Sequence, residues 1–128
     1  MTPNQQPPMD EREAAERIAR FMPGCTYSVS CHGDYIYWYP DGDYRLLWKE
    51  RQGWDHNALA PVLAKIADNQ VSDSKFNKHL CRLTGKRING LSVIAIDAIA
   101  ACQLKKAAPA QLALAAGMTL REMEDKEK

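Results

Sequence analysis

The sequence has almost no net charge. Its 128 residues carry 17 Lys+Arg against 16 Asp+Glu, a formal +1. That excludes a uniformly basic protein that coats nucleic acid, and equally an acidic mimic of DNA. A bilayer-length apolar run is missing too. The longest candidate, 91–104, is interrupted by Ser92, Asp97 and Gln103, whereas a spanning helix needs about 20 apolar residues. The opening MTPNQQPP has neither a basic start nor an apolar stretch, so it is not the pattern of an export signal. No membrane association and a cytoplasmic location are therefore expected. Cysteine is sparse: Cys25, Cys31, Cys81 and Cys102 are expected to be reduced thiols rather than two disulfides. There is no phosphate-cradling glycine loop, no G-x-S-x-G and no H-E-x-x-H. No cofactor and no catalytic residue are expected.

What is present is globular. Apolar residues make up 45% and charged residues 26%, and the length is that of one domain. A disordered lead-in is expected over residues 1–9, one α+β domain over 10–118, and a charged, fraying helical tail over 119–128. Helical spacing of Ala14, Ala15, Ile18, Phe21 and Met22 predicts a first helix over 10–22, with Glu11, Glu13 and Glu16 near its positive end. The period then changes to two. Tyr27, Val29 and Cys31, then Tyr35, Tyr37 and Tyr39, then Tyr44, Leu46 and Trp48 alternate with their neighbours. Gly33-Asp34 and Pro40-Asp41-Gly42-Asp43 are turn signals between these runs. A three-stranded antiparallel meander results, holding eight of the ten aromatic residues between Tyr27 and Trp54.

Helical spacing returns after Trp54. Asp55 or Asn57 caps a helix carrying Leu59, Val62, Leu63 and Ile66, with Pro61 in its first turn. Ser72 or Ser74 is expected to cap the next, with Phe76, Leu80 and Leu83 inward. Ser92 opens a buried helix, Val93 to Lys106, against which a strand over 91–96 is the alternative. Pro109 starts the last helix and Gly117 is expected to stop it. The order is α-β-β-β-α followed by a helical C-terminal half.

Charge is segregated along this order. From Ser74 to Lys106 there are seven cations (Lys75, Lys78, Arg82, Lys86, Arg87, Lys105 and Lys106) against Asp97 alone, a net +6 that leaves −5 elsewhere. Lys75, Lys78, His79 and Arg82 share one face of a helix, and Lys86 and Arg87 extend it. Such a stripe suits phosphates or an acidic partner protein, or is simply the solvated face of an amphipathic helix. The meander supplies a second candidate, because Tyr35, Tyr37 and Tyr39 point one way and Trp38 the other, so some rings stay exposed. Tyr and Trp anchor protein interfaces and stack on unpaired bases.

Two local resemblances bear on function. Residues 111–119, QLALAAGMT, resemble the first helix and turn of a helix-turn-helix, and Met123 falls where the next helix buries an apolar residue. The segment that would read DNA, 120–128, carries four carboxylates, which phosphates repel, so a helical hairpin is expected instead. The α-β-β-β-α order is similar to that of double-stranded RNA-binding domains. The second helix of that family begins with cations, and the matching stretch here, DHNALAP, has no Lys or Arg, so no functional residue is carried over. Cys25 and Cys31 are six apart and His79 and Cys81 diverge on a helix, which is not zinc spacing. Adjacent Cys31 and His32 point to opposite faces of a strand and make no nucleophile pair. Asp97 is a perturbed carboxylate, or more simply an N-cap or a polar residue at the surface.

The expected function is that of a small non-enzymatic interaction protein binding a partner protein, of the accessory or inhibitor kind that phages and mobile elements encode. Its expected contact residues are Tyr35, Tyr37, Trp38, Tyr39, Lys75, Lys78, Arg82, Lys86 and Arg87. Nucleic-acid binding through the basic helix and aromatic sheet is the first alternative, and an enzyme of unrecognised type the second.

Overall fold

A computed structural model describes residues 9–22 and 24–126. Asp10 caps the first helix, α1 (Glu11–Phe21), its carboxylate accepting from the Glu13 amide at 2.7 Å. Glu11 and Glu13 lie in the first turn, where the helix dipole favours them. Four strands follow as an antiparallel meander in sequence order: β1 (Thr26–Val29), β2 (Tyr35–Trp38), β3 (Tyr44–Lys49) and β4 (Gly53–Trp54). The fourth was not expected. It is only two residues long, too short for any period to show, and it pairs Trp48 with Trp54 and Lys49 with Gly53. The turn before it carries Arg51 at φ 74, the one non-glycine with positive φ among the described residues.

Alternation decides which sheet face is buried. Tyr35 and Tyr37 point inward and are buried, Ile36 is half-buried, and Trp38 is exposed. Opposite them the register slips. Tyr35 faces Trp48 while Ile36 faces Leu46, so Leu47 is the extra residue of a bulge and both Leu47 and Trp48 are buried.

The helices are α2 (His56–Ala67), α3 (Gln70–Leu83), α4 (Val93–Lys106) and α5 (Pro109–Lys126). Asp55 caps α2 through the Asn57 amide. Asn69, not Ser72 or Ser74, caps α3, accepting from the Val71 and Ser72 amides. Ser72 is already inside α3, where its buried hydroxyl donates to the Ile66 carbonyl at 2.6 Å and fixes the α2–α3 corner. Ser92 caps α4 through the Ala95 amide, so the strand alternative over 91–96 is set aside.

Gly117 does not stop the last helix. α5 runs on through it to Lys126, so there is no helical hairpin, and the first described part of the expected tail is core: Thr119 and Leu120 are buried. Glu127 and Lys128 of that tail lie outside the described residues, as does the lead-in except for Met9, which is buried. The glycine is there for space. A Cβ on Gly117 would stand 2.6 Å from Met9 Sδ, 2.9 Å from Ala14 Cβ and 3.0 Å from Ala14 Cα. Ala14, Ala15 and Ala19 of α1 and Ala113 and Ala116 of α5 are all buried. Small side chains on both helices let their backbones approach closely.

The architecture is layered. α1, α2 and α5 cover the inner face of the sheet, α3 packs on α2 and α5, and α4 packs on α3. The main core joins Ile18, Tyr37, Leu47, Leu59, Val62, Ile66, Phe76 and Leu80 with Leu112 and Leu120. A small second cluster, Cys81, Ile88, Ile96 and Ala100, glues α4 to α3.

Candidate interaction surface

The layering puts the two sequence-derived candidates on opposite sides of the molecule. The sheet turns its outer face away from the helices. The basic stretch lies on α3 and beyond, separated from the sheet by α1, α2 and α5. They do not form one surface.

On the sheet, most of the expected contact residues are core. Tyr35 and Tyr37 are buried, and the Tyr37 hydroxyl donates to the Ala58 carbonyl at 3.0 Å. Burial lifts the phenols of both above their ordinary value, which keeps them neutral. Tyr39 is half-buried and meets Tyr37 edge-on at 5.5 Å. Trp38 is the most exposed of the four, at 38%, where it packs on Tyr44 at 4.9 Å and donates from Nε1 to Ser28 Oγ. The turn beside it carries Asp41 and Asp43, which does not favour an anionic ligand such as nucleic acid.

The basic face of α3 is divided by its neighbour α5. Lys75 and His79 turn toward that helix: Lys75 Nζ lies 3.4 Å and His79 Nε2 2.8 Å from the Glu122 carboxylate. Those two positions belong to a charged seam between helices. The seam continues through Arg17, which pairs with Glu13 and Glu124, and Arg20, which also reaches Glu124. Glu122 and Glu124, read from the sequence as repelling phosphates, thus serve as internal partners. Lys78 is half-buried and Arg82, Lys86 and Arg87 are exposed, so four of the five basic candidates remain available.

Burial holds the His79 imidazole below its ordinary value. Glu122 pulls the other way, and Arg82 and Arg121 add to the lowering. The neutral ring is the one that fits, donating to Glu122. The unfolded chain then binds a proton in a window where the native state does not, so stability falls as pH drops below about 6.5. Urea unfolding at pH 7.5 and pH 5.5 should show this loss, and His79→Gln should remove it. A wild type that gains stability over the same interval relative to His79→Gln would mean that the ring is charged against Glu122.

The sequence reading missed the outer face of α4. Its even distribution of apolar residues predicts burial all round, yet only Ile96, Ala100 and Gln103 are buried. Ile94 is 83% and Val93 55% exposed, and Leu104 is exposed too. Cys102 is exposed, while Cys81 is buried, its thiol against the Ile96 carbonyl at 3.8 Å. The crossing of α3 and α4 is pinned by Asn77 Nδ2, which donates to Asp97 at 3.0 Å. Asp97 is therefore a polar residue at the surface that tethers two helices, not a cap. Between the N-terminal halves of the two helices runs an open groove of about 420 Å³, lined by Val71, Ser74, Lys78, Val93 and Asp97 among others. Val71, at 59% exposure, forms its rim.

The cysteines are all free thiols. No three His, Cys, Asp or Glu side chains come together to hold a metal ion among the described residues, and no described helix is long and apolar enough to cross a membrane. Comparison with protein-family models, with curated proteins and with solved structures finds no match to this chain.

Proposed function

We propose that the chain is a small non-enzymatic interaction protein of the cytoplasm, an accessory or inhibitor of the phage or mobile-element kind, which binds a partner protein through its α3–α4 surface. One observation carries this reading. Val71, Leu91, Val93, Ile94 and Leu104 are half of the ten large hydrophobic side chains left exposed among the described residues, and all five belong to the α3–α4 pair and its loop. A cluster of exposed branched side chains rimmed by charge is the usual mark of an interaction site. Of the cations on α3 and the loop after it, Lys78 lies beside Val71 and Val93, and Arg82, Lys86 and Arg87 are exposed.

The test is affinity capture from the cells that naturally express the chain, with wild type and Ile94→Asp as parallel baits. Ile94 packs against little, so its substitution is expected to leave thermal unfolding unchanged while the captured partner is lost. Equal capture by both baits would sink the reading. So would tight binding of random oligonucleotides at low salt that weakens steeply at moderate salt, which is the behaviour of a nucleic-acid protein.

A further inference from the structure

The sheet has one open edge that its residues do nothing to protect. β1 stands at the end of the strand order, and all of its residues are exposed. β4, at the other end, is two residues long and follows a turn holding Glu50 and Arg51. Very short or charged edges are how proteins stop their strands from pairing with other chains. β1 has none of these devices. Residues 24–31, GCTYSVSC, hold no Lys, Arg, Asp, Glu or Pro, and the register with β2 runs without a bulge.

The hydrogen-bond pattern decides what that edge presents. The Ser30 N–H donates to the Asp34 carbonyl at 3.0 Å, at the turn end of the β1–β2 pair. Bonded and open pairs alternate along an antiparallel ladder, so Ser28 and Thr26 also bond to β2. β2 agrees. The Tyr39 N–H donates to the Asp43 carbonyl at 2.8 Å, which assigns the odd-numbered residues of β2 to β3 and its even-numbered residues to β1. The N–H and C=O of Tyr27 and Val29 are therefore aimed away from the sheet, and no turn or loop group among the described residues bonds to them.

This edge is complementary to itself. Two copies of β1, antiparallel about a two-fold axis at Ser28, set Tyr27 of one protomer opposite Val29 of its partner, and the reverse. Each such pair exchanges both hydrogen bonds. An aromatic ring on a β-branched side chain is a favourable cross-strand pair, and no charge meets a like charge. Neighbouring registers do worse. An axis at Tyr27 puts Val29 opposite Cys25, whose N–H already goes to the Met22 carbonyl at 3.2 Å. An axis at Val29 puts Tyr27 opposite Cys31, which belongs to a turn.

We infer that β1 pairs antiparallel with β1 of a second copy of this chain, about a two-fold axis at Ser28, joining the two sheets into one. A strand this short covers less than the roughly 1,200 Å² of a standard interface, so the dimer is weak and forms at about 10–100 µM. The α3–α4 surface lies across the α1, α2 and α5 layer from the sheet. Both protomers keep it free, and the dimer does not depend on the function proposed above.

Sedimentation equilibrium of the full chain, from about 5 µM to about 500 µM, reads the dimer. Val29→Pro removes an N–H that the monomer does not use, and an edge strand tolerates proline where the missing N–H faces outward. The dissociation constant should rise at least about tenfold. Tyr27→Lys puts a cation on the edge and should do the same, and it serves alone if the proline variant does not fold. Cross-linking reads the register. The two Ser28 residues form an open pair with Cα atoms about 4.5 Å apart, which a disulfide spans. With the exposed Cys31 and Cys102 changed to Ser, Ser28→Cys should link two chains when oxidised glutathione is the oxidant. Ser30→Cys in the same background, where it faces Thr26 of the partner chain, should not. A chain that stays monomeric throughout overturns the inference and leaves the edge to a strand of another protein. A dimer that keeps its affinity in both edge variants overturns it as well, and so does one that links as readily in Ser30→Cys as in Ser28→Cys.

Discussion

Gly117→Ala should destabilise the protein, although alanine is the better helix former. In an exposed helix interior the exchange gains about 1 kcal/mol. Here the new methyl would sit 2.9 Å from Ala14 Cβ and 3.0 Å from Ala14 Cα, closer than carbon atoms pack. Met9 Sδ, at 2.6 Å, ends a flexible side chain and can swing aside; the Ala14 backbone cannot. Helices α1 and α5 must then separate, opening contacts along Ala15, Ile18 and Ala19, all of which are buried. Overpacking of this kind costs typically 1–3 kcal/mol, and with two contacts at or under 3.0 Å to Ala14 the upper part of that range applies, so a net loss of up to about 2 kcal/mol is expected for Ala. Gly117→Val adds two more carbons and a β-branch, and about 3 kcal/mol or more is expected, a large share of the 5–15 kcal/mol that holds a typical domain together. Urea midpoints of the two variants against wild type measure this. A Gly117→Ala protein as stable as wild type would mean that the two helices do not touch at this point.

The same residue shows what the sequence could and could not say. A glycine with an apolar residue and then a hydroxyl residue after it reads as a helix stop by local rules, and nothing local distinguishes a stop from a close crossing. The difference lies about 100 residues away, in Ala14 and Met9. The elements that were legible are those fixed by their own residues: α1 by its apolar spacing and Asp10, β1 to β3 by alternation between turn signals, α4 by Ser92. The others were set by packing. β4 exists because Trp54 pairs with Trp48. The bulge at Leu47 breaks the alternation that would have placed Trp48 with Leu46. For the candidate surface, the basic side chains were visible as an acid-free stretch. That Lys75 and His79 are taken by Glu122, 47 and 43 residues on, was not. The outer face of α4 was invisible for a further reason. A helix apolar all round reads as buried, and only the layer order, with α4 outermost, leaves Ile94 in water.

Neighbouring aromatics on β2 should give opposite results. Tyr37→Ala removes a side chain with no exposed surface, an edge-on ring contact with Tyr39 and a hydrogen bond to the Ala58 carbonyl. Deleting a fully buried aromatic costs about 3–5 kcal/mol through lost transfer energy and the cavity left behind. Tyr37→Phe keeps the ring and should cost only about 1 kcal/mol, the net worth of one hydrogen bond. Trp38→Ala removes a larger ring but one already 38% exposed on the uncovered face. Its contacts with Tyr44 and Ser28 are local, and about 1 kcal/mol is expected. The order of the three is set by which face of one strand each residue occupies, not by size. Denaturant unfolding read by far-UV circular dichroism gives the three values without relying on the altered chromophores. If Trp38→Ala were the costlier change, the sheet would be covered on the face described here as open. The Trp38→Ala protein also separates the two sides of the molecule in function. Its sheet face lies across the α1, α2 and α5 layer from α3 and α4, so it should capture the same partner as wild type, at the same affinity, while Ile94→Asp loses it. A partner lost with Trp38→Ala and kept with Ile94→Asp would move the interaction to the sheet.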